Sequence, residues 1–135
     1  MDRKDAGAVV LRVILGLTFF IHGLSKFQGG LGNTAGFFES LGIPGFSAYV
    51  VAVIELIGGI LLILGIGTRV VSVLFAAIML GAIFTAKLSA GFLGDGQMAG
   101  YELELALLAM AIFLAMANST AFSLGNKIFR SEARK

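Results

Sequence analysis

The sequence has no cysteine and no tryptophan, one proline, one histidine, and charged side chains at only 13% of its 135 positions. Without cysteine there is no disulfide, no thiol redox chemistry and no thiolate metal site. A single histidine cannot supply a bis-histidine haem or a tetrahedral zinc centre, so no metal site is expected. Neither GxGxxG nor GxxxxGK occurs, and the glycines of SAGFLGDGQMAG resemble a phosphate-cradling loop only superficially. No Gly-x-Ser-x-Gly elbow offers a serine nucleophile. Any redox role therefore needs a borrowed, non-covalent cofactor or a partner. No internal repeat is visible, which argues against an inverted-repeat transporter.

What the chain has in quantity is apolar surface: 58% hydrophobic residues and a mean hydropathy of +0.97, outside the range of ordinary soluble domains. Four long apolar segments, at about residues 6–25, 47–66, 70–87 and 101–118, predict an all-α polytopic membrane protein. Its fold class is a four-transmembrane-helix bundle occupying the whole chain as one domain, in contact with the lipid bilayer. Arg3 and Lys4 precede the first segment as they would in a signal peptide, but HGLSKF provides no small-x-small cleavage site, so a retained span is expected. With alternating spans, eight of the ten basic residues share the side of both termini, leaving Lys26 and Lys87 on the other. The positive-inside rule then makes both termini cytoplasmic. The basic ends suit a membrane surface rather than nucleic acid.

Glu55 lies near the middle of the second segment, where an unpaired charge is too costly to keep without a partner, a proton or a water-filled cavity. Its stripe, Ala48, Ala52, Glu55 and Gly59, is small enough to admit a close neighbouring helix. In the first segment Arg12, Leu15, Phe19, His22 and Lys26 follow at alternating spacings of three and four, so its ionisable groups share one face. Depth places Arg12 roughly 9 Å from Glu55 on one side and His22 roughly 7 Å on the other. An Arg12–Glu55 ion pair is expected, with His22 as the alternative partner. The blander account has Arg12 and Lys26 snorkelling to opposite headgroup layers.

Between the first two spans, Phe37, Phe38, Leu41, Ile43 and Phe46 make the connection too apolar for a free loop. A short interfacial helix starting near Asn33 or Thr34 is expected there, lying on the outer surface or folded over the bundle mouth as a lid. GIGTR forces a tight hairpin between spans two and three. Span three, with Ser72 and Thr85 as its polar interior candidates, reads mainly as packing. Span four opens with Glu102 and Glu104 on nearly opposite faces. Glu102, on a stripe with Ala106 and Ala109, is the expected inward acid, and Glu104 is expected in interfacial water. His22, Lys26, Glu55 and Glu102 are thus the candidate ligand-binding residues, with Phe19 and Phe37 as aromatic walls.

Arg12 early in span one, HGLSKF, GIP, the block IELIGGILLILGIGTR and GYELEL together resemble the DoxX family of small four-span bacterial membrane proteins. The resemblance covers nearly the whole chain, and the IELIGGILLILGIGTR block is its most specific part. It implies an inner-membrane oxidoreductase component: some members resemble the membrane part of a thiosulfate:quinone oxidoreductase, and others are linked to catechol and quinone detoxification or oxidative stress. The chain's size is closest to the catechol-stress type. A quinone as cofactor, a soluble oxidoreductase or dioxygenase as partner, and a homo-oligomer are implied in the same way. The family's polar positions fall on Arg12, His22, Lys26, Glu55, Arg69 and Glu102. The chain departs from the family at Gly125, which stands where an aspartate is common. The alternatives from other classes are a non-enzymatic scaffold that recruits a soluble oxidoreductase and a small-molecule transporter.

Overall fold

The computed structural model describes residues 2–117, and five helices carry most of them. Helix α1 (Arg3–Gly29) starts on Asp2, whose carboxylate accepts the Asp5 amide at 2.8 Å as an N-cap. It stops at Gly30, whose φ of +93° disfavours any side chain, and the chain turns there into α2 (Leu31–Ser40). Helix α3 (Phe46–Leu64) closes on left-handed Gly65, and the Ile66 amide reaches back to the Leu61 carbonyl at 2.8 Å. The expected hairpin follows, leading into α4 (Thr68–Ala82). Helix α4 runs on through a π-helical turn, Ile83–Lys87, and a 3₁₀ turn, Leu88–Ala90. In the next connection the amides of Met98 and Gln97 donate to Asp95 and hold its carboxyl below the usual carboxylate range. Helix α5 (Glu102–Met116) follows.

Three helical stretches among the described residues are long and apolar enough to cross a bilayer: Arg3–Gly29, Phe46–Leu64 and Thr68–Ala90. Each corresponds to one of the first three expected spans. The described part of α5 is 15 residues, or ~22 Å, against a hydrocarbon core of ~30 Å. The end of the fourth expected span at Asn118, Gly125 and the basic tail lie outside the described residues.

Helix α1 packs against α3 and α4 against α5, and contacts of α3 with α4 and of α1 with α5 close a ring. The α1–α3 contact is backbone to backbone. A methyl group on Gly59 would lie 2.6 Å from the Gly16 carbonyl oxygen, and one on Gly23 would lie 2.6 Å from the Leu56 nitrogen. Small residues permit this approach, as the glycine stripes lead one to expect. At the centre Phe19 of α1 stacks on Phe75 of α4, ring centroids 3.8 Å apart, among Leu15, Leu62, Val71, Leu108 and Leu114. Outside, Val10, Ile14, Leu17 and Ile21 of α1 and Val53, Ile57 and Ile60 of α3 are exposed. A helix ring that is apolar on its outer faces as well as inside suits hydrocarbon rather than water.

Candidate functional site

Two ion pairs occupy the same end of the ring. Lys26, near the C-terminus of α1, donates from Nζ to both oxygens of Glu55 at 2.9 and 3.0 Å, and the Glu55 side chain is only 3% exposed. Lys87, at the end of the π turn, lies 3.2 Å from Glu104 Oε1 near the start of α5. Glu104 Oε2 is buried with no hydrogen-bond partner among the described residues. One pair thus ties α1 to α3 and the other ties α4 to α5.

Beside them is a cavity of about 500 Å³ between α2, α3 and α4. Phe37 and Phe38 of α2, with Leu41 just beyond it, form one wall, and Val51 and Ile54 of α3 form another. Leu74, Ile78, Gly81 and Thr85 of α4 form a third, and Lys26 and Lys87 supply its charged groups. This third wall runs on into the π turn. Thr85 and Ala86 continue the rows of Gly81 and Ala82 along the cavity, and Lys87 follows at the end of the turn. Thr85 Oγ1 occupies the Gly81 carbonyl at 2.6 Å on the way into that turn. Chemically, the arrangement is an apolar chamber with two ammonium groups, each neutralised by a carboxylate from a neighbouring helix.

Several expected site residues stand elsewhere. Glu55 is paired, but its cation is Lys26, not the Arg12 or His22 that depth favours. The glycine contacts set Gly16 against Gly59 and Ile63, which puts Arg12 beside the C-terminal end of α3, about ten residues or ~15 Å beyond Glu55. Arg12 itself is buried at 4% exposure. His22 is exposed, in a separate shallow cleft with Ile21, Ser25 and Lys26. Glu102 is exposed, while Glu104, expected in water, turns inward to Lys87. The inward face of α5 is that of Leu107, Leu108, Ala111 and Leu114, and Glu104 lies three and four residues before the first two. Phe19 is buried in the core stack rather than lining the site, and Phe37 does line the cavity. Arg69 is exposed at the start of α4. Lys87 and Glu104 are the pair that sequence reasoning passes over, although Lys87 is one of only two cations on its side and so a natural partner for an acid there.

The stretch of chain carrying Lys26, Glu55 and Lys87 is also the stretch matched by a family model: DoxX, over residues 7–88. The chain belongs to the DoxX family. Among curated relatives of this DoxX protein is "Putative oxidoreductase CatD" of Bacillus subtilis (strain 168), 48% identical over 128 residues, covering 95% of this chain and 91% of the relative. Another is "Uncharacterized membrane protein Rv3486" of Mycobacterium tuberculosis, 34% identical over 130 residues, 89% of this chain and 80% of the relative. "Inner membrane protein YqjF" of Escherichia coli (strain K12) is 31% identical over 81 residues, 60% of this chain and 62% of that protein. No solved structure matches the chain. The chain is thus a member of a family of membrane proteins, helical over its described residues and similar to a protein named "Putative oxidoreductase CatD".

Proposed function

We propose that this DoxX protein is the membrane component of a bacterial redox or detoxification system and holds a quinone-like or catechol-like compound in the cavity between α2, α3 and α4. The observation that carries this reading is the cavity itself. Its volume of about 500 Å³ falls within the ~300–1,000 Å³ usual for small-molecule sites, and its apolar walls are interrupted by few polar groups. A ring with two oxygens suits that lining, its faces against Phe37 and Phe38 and its oxygens toward Lys26 and Lys87. With one histidine and no cysteine, the chain has no ligand set for a redox metal of its own. Electrons are therefore exchanged with a soluble oxidoreductase partner, whereas a soluble dioxygenase partner would consume the catechol with dioxygen. The relative named as an oxidoreductase supports the redox half of the reading.

In this reading α5 belongs to the fourth span, and α2 lies at the outer surface of the bacterial inner membrane. Both termini are cytoplasmic. Cysteine placed at Gln97, in the α4–α5 connection, should react with an impermeant maleimide on intact cells, and cysteine at Thr68 only after permeabilisation. The native chain has no cysteine to confuse the readout. The opposite pattern would reverse the orientation.

Function is tested by filling the chamber without touching either ion pair. A methyl group on Gly81 meets nothing within 4 Å, and the residue lines the cavity, so Gly81→Phe has room to fold its ring into it. Cells that rely on the protein when challenged with catechol or a quinone should lose most of that protection with Gly81→Phe, at normal protein abundance. Ala77→Phe, on the same wall, serves where the first variant accumulates poorly. Full protection by a well-expressed filled variant would remove the cavity from the function.

A further inference from the structure

The charged groups facing the cavity are both hydrogen-bond donors. Lys26 and Lys87 line it, whereas Glu55 and Glu104 stand behind them and are not part of its lining. An ammonium group has three hydrogens and no acceptor. Lys26 directs bonds to two carboxylate oxygens and Lys87 sits against one, so each keeps at least one N–H for the chamber. Both Glu55 oxygens accept from Lys26, Glu104 Oε2 is buried, and neither carboxylate is part of the lining. The acceptors left on the lining side chains are neutral hydroxyl oxygens, Ser47 and Thr85, and the Thr85 hydrogen is already committed to the Gly81 carbonyl. Hydrogen bonds from a charged donor are roughly twice as strong as neutral ones.

We infer that the cavity discriminates by oxidation state, taking an acceptor-headed ring, a quinone, in preference to the corresponding hydroquinone or catechol. The inference rests on the cavity being the ligand site proposed above. A quinone brings two carbonyl oxygens that only accept, and it meets two ammonium groups that only donate. Its reduced form brings two O–H donors into a chamber whose carboxylates are turned away, and a buried donor without an acceptor carries a desolvation penalty. An ionised catechol shares the acceptor chemistry of the quinone and belongs to the same preference. Such a site favours loading of the oxidised form and, once a soluble oxidoreductase partner has supplied two electrons and two protons have been taken up, release of the reduced form. Each tenfold preference for the oxidised form lowers the potential of the bound two-electron, two-proton couple by ~30 mV relative to the free one.

The experiment is equilibrium binding to the full chain in lipid nanodiscs, under anaerobic conditions. The probes are tetramethyl-1,4-benzoquinone, whose fully substituted ring discourages conjugate addition by lysine, and its hydroquinone. The quinone should bind at least about tenfold tighter than the hydroquinone. Gly81→Phe should weaken both, and Lys87→Met should bring the two affinities together. 4-Nitrocatechol, which ionises near neutral pH, should bind more tightly above its ionisation than below it. Equal affinities, or a tighter hydroquinone, with Gly81→Phe still abolishing both, would overturn the selectivity and leave the cavity as the site. Failure of every probe to bind the wild-type chain would overturn the cavity reading and the selectivity with it.

Discussion

Lys26→Met is expected to lower the thermal midpoint of the detergent-solubilised protein by more than Glu55→Gln does, although both break the same ion pair. Glu55 is 3% exposed, and its two oxygens have Lys26 Nζ at 2.9 and 3.0 Å. Removing Lys26 leaves a buried carboxylate with its counter-charge gone, a class of change that costs ~3–5 kcal/mol. Removing the charge of Glu55 instead leaves an ammonium on a flexible stem, 24% exposed, which can turn toward the headgroup layer at modest cost. The double variant Lys26→Met with Glu55→Gln should recover part of the loss, since neither charge then remains. The coupling between two contacting residues is what a double-mutant cycle isolates. Size-exclusion profiles after heating give the three midpoints. Equal small shifts for all three variants would mean that the pair is incidental to the fold.

The cost of a charge in hydrocarbon makes Glu55 legible from the sequence, together with its need for a partner. The partner's identity is not legible, because depth estimates assume that each helix enters the membrane at the first residue of its apolar segment. The contact of Gly16 and Gly23 with α3 sets the actual register, and it moves Arg12 farther from Glu55 and brings Lys26 within reach. The glycine stripes themselves are readable, and they do what small residues do between membrane helices.

Helix α5 shows a different limit. It is apolar on all sides, so no amphipathic signal chooses between Glu102 and Glu104. Small residues point to Glu102, yet Ala106 and Ala109 are exposed and the leucine face is the buried one. The π turn is wholly illegible. Regular α periodicity carried on from Ile78 and Ala82 does reach Ala86, but it does not mark Lys87, which lines the same wall at the end of the π turn. Lys87, one of the two cations at the charged end of the cavity, is therefore a residue that hydrophobic patterning does not announce. The apolar connection after the first span does announce a short helix, expected to start near Asn33 or Thr34. Helix α2 starts at Leu31, as soon as Gly30 breaks α1, and its aromatic residues Phe37 and Phe38 face the cavity.

Photolabelling of the protein in its own membranes with a radiolabelled azido-quinone is expected to give its largest effect at one place. Two of the three walls of the cavity come from well-separated stretches, Phe37 to Leu41 and Leu74 to Lys87, whereas the cleft holding His22 is built from α1 alone. Peptide mapping therefore distinguishes the two sites without any substitution. A bound ring sits within van der Waals reach of both walls at once, so the two stretches should be labelled together and most of the label should disappear with excess unlabelled quinone. Gly81→Phe should reduce the competed label in both stretches by a similar factor. That pattern is the result the account predicts, and competed label confined to Ile21 to Ser25 with both cavity walls untouched would contradict it.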